Sequence, residues 1–545
     1  MSKIAHYLQE HLVGEVMTST DARRYFSTDA SIMALPPALV VYPRNENDVR
    51  KTARFTWQLA ERGRVIPITA RGAGSDQTGA SLGNGIMMVF PAHLNRILEL
   101  DTKSGNVTVE AGINYGKLQQ TLQTHGRFLP PYPASIEYSS VGGAIANNAS
   151  GEKSVKYGDT RRYVLGLRAV LANGEVIETG RLGKRELGKK LGLATFEGEL
   201  YRAVDTLLEE NHKRLETMSR AVSKNNAGYD LLSIKRRDGS FDLTPLLVGS
   251  QGTLAVITEA TLTTEPLNPQ TTLMMVSFDS LQHAEETVIE LMAQGNKPSM
   301  LEMVDGNVLE QVGALNPNLL KDLVTTPYPK VILFVEFDAA NDRHQKRDVK
   351  KAGKIFDKYA TSLQTETEPD QQVRLLKVRQ ATATLLTRSD QTGRALPIVD
   401  DAIVPLARLR EFIEATYALC EKLAIKPAMW GHIGEGSLQF QPVLNLSQVG
   451  DRQRVFRLMD EYYSLVIKLG GSVSGERNDG RLRAPYIEKQ YGPEVYALFG
   501  RLKQIFDPYN ILNPGVKLGT TQADIKALIR NDFDLGHIYN HLPRS

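Results

Sequence analysis

Cysteine is almost missing from this chain: of 545 residues, only Cys420 carries a thiol. A single thiol excludes an intrachain disulfide framework and any iron–sulfur cluster ligated by this chain's cysteines. Cys420 falls in an apolar helical pattern, REFIEATYALCEKLA, and reads there as a buried structural thiol rather than a nucleophile. Charge of one sign is lacking too. Net charge is +3, with 65 Lys and Arg against 62 Asp and Glu, which makes no electrostatic case for nucleic acid or a membrane surface. No apolar run reaches the length of a bilayer-spanning helix, and the charged start MSKIAHYLQEHL has no signal-peptide core. A cytoplasmic protein is expected. Internal repeats and low-complexity tracts are also absent, and the length calls for two or more domains.

Glycine, by contrast, is concentrated where it has consequences. RGAGSDQTGAS (71–81) lies between a β-branched run (65–70) and another apolar run (85–90), so it is a loop between strands. Gly72, Gly74 and Gly79 remove Cβ atoms and let consecutive N–H groups approach an anion, with Arg71 adding a positive charge. The loop is neither a Walker A motif nor a Rossmann turn; a glycine-rich hairpin that binds nothing is the competing reading. Three further stretches bear on that choice. SSVGGAIANNASG (139–151) reads as a second turn, LLVGSQGTLAVITEATL (246–262) as a glycine-bracketed turn entering a strand, and KNNAGYDLL (224–232) as a turn.

In this order the four stretches resemble the flavin-binding domain of the vanillyl-alcohol oxidase (PCMH) type, and with the C-terminal motifs the resemblance runs over about residues 29–519. It implies an α+β architecture: a two-subdomain PCMH-type FAD-binding domain and an α+β substrate cap with an antiparallel sheet. The expected divisions are an N-terminal extension (1–33), the FAD-binding domain (34–268, with a largely helical insertion at 181–245), the cap (269–470), a segment returning to the flavin (471–519) and a tail (520–545).

Local patterns fill in these divisions. A strand at 38–42, a helix capped by Asn45 with Asp48 in a capping-box position, and a strand at 65–70 form a βαβ unit. In the cap, strands are expected at 272–278, 330–337, 394–404 and 437–443, with helices starting near Ser280, Arg343, Pro369 and Leu406 over one face of the sheet.

As the resemblance implies, Arg71, Gly72, Ala73, Gly74, Ser75 and Asp76 cradle the cofactor together with Ser140, Val141, Gly142, Gly143, Ala146, Asn147 and Ser150. Gly252 and Val256 approach the adenine side, and Asn513 of FDPYNILNPGVKLG stands near the flavin ring, although Asn before Pro-Gly is also ordinary turn chemistry. Relatives with covalent flavin carry a histidine where Ser75 stands; serine cannot form that link, so noncovalent FAD is expected.

WGHIGEGSLQFQP (430–442) is similar to the H-x-G-x-G-x-x-H motif of flavin-dependent 2-hydroxyacid dehydrogenases, and GGSVSGERNDG (470–480) to their G-S-x-S-x-E-H-G-x-G. In that family two histidines and a glutamate hold a divalent metal. Here His432 and Glu476 are kept, the second histidine is Gln439, and His-Gly after the glutamate is Arg477-Asn478. A neutral amide is a poor ligand for zinc or manganese, so a metal on His432 and Glu476 is the weaker expectation. Arg477 then supplies the positive charge instead.

A Gly-Glu-Gly turn is expected to set His432 opposite Gln439 on adjoining strands. His432 is the candidate base, titrating near neutrality. Arg379, Arg477 and Arg483 are candidates for the substrate carboxylate, with a solvated helix face as the competing reading of Arg379 and a neighbouring ion pair as that of Arg483. Asp400 and Asp401, adjacent in a strand, would point to opposite faces, leaving at least one structural.

The chain is thus expected to oxidise a small 2-hydroxy acid of the D-lactate, D-2-hydroxyglutarate or glycolate type. It resembles the flavin half of larger dehydrogenases that carry an iron–sulfur half, so a separate electron-acceptor protein is an expected partner. Two rivals stand beside this reading: a sugar or alcohol oxidase on the same scaffold, and a flavin subunit without turnover of its own.

Overall fold

The computed structural model of the protein describes residues 2–383, 385 and 393–531. Its first sheet comprises β1 (Glu15–Met17), β2 (Leu39–Tyr42), β3 (Ile68–Arg71) and β4 (Ile86–Val89), ordered β1-β2-β4-β3. The βαβ unit is present, with helix Glu46–Glu61 as its crossover, but β4 slots between the two strands and runs parallel to both. The N-terminal residues are not a separate extension. They supply the antiparallel edge strand β1, and Ile4, Ala5 and Leu8 share a core with Val49 and Ala53.

Asn45 caps the helix by accepting the N–H of Asp48 at 3.1 Å. Asp48 does not close the expected capping box. Its buried carboxylate accepts the N–H groups of Val13, Gly14 and Arg44 at 3.0, 2.9 and 3.0 Å, tying the N-terminal segment to the helix.

A second, antiparallel sheet follows, with β5 (Ile97–Asp101), β6 (Asn106–Glu110), β7 (Val164–Val170), β8 (Val176–Glu178) and β9 (Val256–Thr263) in the order β5-β6-β9-β7-β8. Segment 181–245 is helical only in part. Helices Lys184–Leu191, Phe196–Glu210 and His212–Glu216 give way to turns up to Thr244–Leu247. The reason lies in Asn225, Asp230, Asp238 and Asp242, whose side chains accept main-chain N–H groups two or three residues on and so compete with helix formation.

The cap sheet has seven strands, β10 (Thr272–Phe278), β11 (Met300–Asp305), β12 (Val331–Phe337), β13 (Ser362–Glu366), β14 (Ala402–Ile403), β15 (Met429–His432) and β16 (Ser437–Phe440), all antiparallel in the order β13-β10-β12-β11-β15-β16-β14. Helices cover both faces, not one. Met274, Val276 and Leu333 pack with helices Leu281–Met292 and Asp342–Tyr359, while Met275, Ile332 and Phe334 pack with Gly306–Leu315 and Pro369–Gln380. TLMMVSF and VILFVEF are apolar at consecutive positions, so both sides demand cover.

The strand expected over 394–404 is broken. Short strands Arg394–Ala395 and Ala402–Ile403 flank a turn in which Asp401 has φ +77°, so Asp400 and Asp401 do not alternate across a sheet. The tail is docked as far as it is described. Helix Gln522–Leu528 buries Ile525, and Arg530 N–H donates to Ile32 O at 2.9 Å; the rest of the expected tail lies outside the described residues. Cys420 is buried, and burial pushes its thiol up to about 12, in keeping with a packing role. Among the described residues, no helix is long and apolar enough to cross a membrane.

Candidate active site

A cavity of about 690 Å³ runs between the two sheets of the first domain and the cap. At one end lies the first glycine loop. Among the described residues, no main-chain N–H from 72 to 76 meets a protein acceptor, although Gly72 and Ala73 line the cavity. A run of free amides in a loop is an anion-binding concavity. Arg71 lines the cavity as well, with its guanidinium committed to main-chain carbonyls. Its buried guanidinium turns behind the loop, where it donates to Thr28 O and Ser81 O at 2.8 and 3.3 Å and underlies Gly74.

The second segment is a helix, Val141–Asn147, rather than a turn. Ser140 caps it, accepting the Gly143 N–H at 3.2 Å, and the Val141 and Gly142 N–H groups go to the carbonyls of Ile113 and Ala111. Its contribution is close approach. A Cβ on Gly142 would lie 2.6 Å from Ala111 O, and one on Gly72 would lie 2.1 Å from Ser140 Oγ. The two segments therefore touch, and Asn147 Nδ2 also donates to Asp76 Oδ1 at 3.3 Å. Gln251 extends the joint by donating to Asn147 Oδ1 at 2.8 Å.

The other end is charged. Glu302 of β11 and His432 of β15 flank the paired residues Met303 and Gly431, and the Glu302 carboxylate holds His432 Nδ1. Arg379 donates to the other Glu302 oxygen through Nε and Nη2, at 3.0 and 2.9 Å. On the far side of the ring, His432 Nε2 stands 3.0 Å from Glu476 Oε2 without hydrogen-bond alignment, leaving a buried N–H partly unspent. Gln439 Nε2 donates to that same Glu476 oxygen at 2.9 Å.

Gln439 is not opposite His432. It pairs with Trp430, and His432 pairs with Ser437, so the two side chains are diagonal neighbours that converge on one carboxylate. Arg477 is held by Asp400, while Gln441 donates to Asp400 at 2.9 Å and keeps its Oε1 unpartnered in the cavity wall.

These contacts set the charges. Burial alone would lower the His432 pKa, but Glu302 and Glu476 outweigh it and raise the imidazole to about 10. Burial would raise both carboxylates, yet His432 with Arg379 holds Glu302 low, and His432 with Arg477 and Lys224 holds Glu476 well below the ordinary range. The ring is thus an imidazolium at neutral pH, not the near-neutral base expected from sequence.

Residues 37–180 match the family model described as FAD binding domain, and residues 267–516 match that of FAD linked oxidases, C-terminal domain. The chain belongs to the FAD-linked oxidases. Its cofactor is FAD. It is 31% identical to a D-2-hydroxyglutarate dehydrogenase of Pantoea ananatis over 92% of this chain and 50% of the relative, and 29% identical to the glycolate oxidase subunit GlcD of Bacillus subtilis over 91% and 92%. The chain spans about half the length of the relatives it matches at 31%. Among solved structures, 4-ethylphenol oxidase from Gulosibacter chungangensis superposes with a TM-score of 0.69 at 15% identity, covering 96% of this chain and 98% of that one. That likeness extends to the fold.

The cavity of this FAD-linked oxidase fits its cofactor at the glycine end, where free amides meet side-chain-free walls. A divalent metal does not fit the charged end. Of the three family positions only His432 Nε2 and Glu476 are good ligands, and the third, Gln439, turns its NH₂ to Glu476. Arg477 brings a permanent cation to the same place. Among the described residues no group of three His, Cys, Asp or Glu converges as a metal site.

Four residues expected at the cavity stand behind its wall. Arg483, a candidate for the substrate carboxylate, is fully buried and spent on Tyr463 OH (3.2 Å), Asn478 O (2.6 Å), Asp400 O and Asp401. Val141 and Val256 point into cores, and Ala144, Ala255 and Ile257 line the cavity in their place. Asn513 braces the first loop, donating to Ala80 O and Gln251 O at 2.8 Å each. Sequence reasoning missed Glu302. Its only signal was an acid inside the apolar run MLEMV, since neither its partner helix nor β15 is near it in sequence.

Proposed function

We propose that this chain is an FAD-dependent dehydrogenase that oxidises a small 2-hydroxy acid to the corresponding 2-oxo acid. The observation that carries this reading is one cavity joining the free amides of 72–76 to a cluster of Arg379, His432 and Arg477. The relatives' activities point the same way: D-2-hydroxyglutarate dehydrogenase, glycolate oxidase subunit and D-lactate dehydrogenase.

Noncovalently bound FAD supplies the acceptor for the C2 hydride. The loop 71–76 and residues 140–150 hold it, with Gly252 at the far wall. Arg379 and Arg477 each keep a carboxylate partner, so they meet the substrate carboxylate with the N–H groups left over. His432 acts as a donor. Its Nε2–H points to the substrate oxygen and stabilises negative charge there, and Gln441 Oε1 accepts from the hydroxyl. Glu476 Oε2, beside Nε2, holds the imidazolium in place, and the hydroxyl proton is released to solvent as the C2 hydride leaves. Electrons then leave to a separate acceptor protein.

Anaerobic mixing of the yellow protein with D-lactate, glycolate and D-2-hydroxyglutarate tests the reading. Loss of the flavin colour with at least one acid is expected, and retention with all three overturns it.

A further inference from the structure

No residue of the stretch KNNAGYDLL has been given a part in binding or reaction, yet its first residue is a buried cation. Lys224 is 7% exposed, and its ammonium donates to Ser150 Oγ at 2.7 Å, Glu435 Oε2 at 2.8 Å and Ser154 Oγ at 3.3 Å. Its three N–H bonds thus have three acceptors. Ser150 is wholly buried and lines the cavity. Because its oxygen already accepts from Lys224, its own hydrogen must point elsewhere. Among the described residues, neither that hydroxyl hydrogen nor the Ser150 main-chain N–H meets a protein acceptor.

Two unspent donors in a buried wall are costly unless something in the cavity accepts from them. Their place is informative. Glu435 belongs to the turn that follows His432, so the Lys224 bridge ties Ser150 to the end of the cavity where the charged side chains stand.

We propose that Ser150 donates its N–H and O–H to acceptor atoms of the flavin ring, and that Lys224 is the positioning residue that fixes the hydroxyl and polarises it. This rests on the FAD reading and adds to it which residues set the cofactor's reduction potential. A reduced flavin carries more negative charge than an oxidised one, so donors aimed at the ring favour the reduced form. Glu435 neutralises the ammonium's net charge and leaves the local dipole. Burial keeps that dipole strong.

The test is the two-electron midpoint potential of the FAD-loaded protein, measured by dye equilibration, together with FAD affinity by titration. Ser150→Ala is expected to weaken binding of reduced FAD about tenfold relative to oxidised FAD, as expected for one lost hydrogen bond. That lowers the potential by about 30 mV, at 29.6 mV per decade for two electrons. Because Lys224→Met alone strands Glu435, the neutral pair Lys224→Met/Glu435→Gln serves as the second variant, with a smaller fall expected. Lys224→Arg should restore most of it. A purely structural role would weaken both redox forms alike and leave the potential in place. Yellow variants with the wild-type potential would overturn this proposal and leave the FAD reading standing, whereas wild-type protein that takes up no FAD would remove both.

Discussion

At the glycine end, the cavity is walled by main chain: free N–H groups of 72–76, a helix start at Ser140, and glycines where a Cβ would collide. At the charged end, Arg379, Glu302, His432, Glu476 and Gln439 form one continuous chain of contacts, flanked by Arg477 and Asp400. The first end depends on space and tolerates no added atoms. The second depends on a balance of charge, in which each side chain is held in its ionisation state by the next. A binding end can be built from backbone alone, but a reacting end needs groups whose charges are set by neighbours.

Breaking the charged end should have the largest effect. His432→Gln should lower kcat/KM by about 10²- to 10³-fold, the range for losing one preorganised donor, with FAD uptake intact. A loss below tenfold in steady-state assays would move the reaction away from this histidine. Arg379 and Arg483 then separate the cavity from its backing. Arg379→Lys should raise the substrate KM with little change in melting temperature. Arg483→Met should leave KM alone and destabilise the fold by roughly 3–5 kcal/mol, because it removes one partner of a buried ion pair and leaves Asp401 unpaired; denaturant curves beside kinetics would decide.

At the glycine end, Gly72→Ala should cost about 1–3 kcal/mol of FAD binding through its clash with Ser140 Oγ, read by titration of apoprotein. pH sharpens the contrast further. The folded pKa of His432, about 10, lies above its unfolded value. Its contribution to stability is therefore complete below about 6.5, the free imidazole value, and is lost as pH rises through 10. Urea unfolding at pH 7 and pH 9.5 should show a loss in the wild type that His432→Gln reduces. The smallest effect concerns metal. Chelators should leave anaerobic reduction of the flavin by substrate unchanged, while Gln439→His/Arg477→His should gain zinc by elemental analysis; stoichiometric zinc in the wild type would reverse the account of this end.

Legibility followed the same division. RGAGSDQTGAS could be placed in a loop because its glycines are contiguous and its flanks are apolar. SSVGGAIANNASG was misread as a turn because Ser140, a helix cap, looks the same as a turn residue until the helix is seen. Cap strands β10 and β12 were visible as apolar runs and β15 through the Gly-Glu-Gly turn after it, whereas β11 was not. The helices expected over one face cover two because neighbouring strands bury both sides. Among the arginines, Arg379 and Arg483 had equal standing in sequence. Only packing shows that one borders the cavity and the other is enclosed.

By itself the sequence determined that this is an FAD-linked oxidase with glycine-rich walls, since those features reside in short contiguous stretches whose geometry is local. The ionisation of His432, the diagonal placing of Gln439 and the partnership with Glu302 were decided by tertiary structure alone. The reason is electrostatic. A side chain's charge depends on burial and on partners within a few ångströms, and those partners come from residues 130 and 44 positions away in the chain.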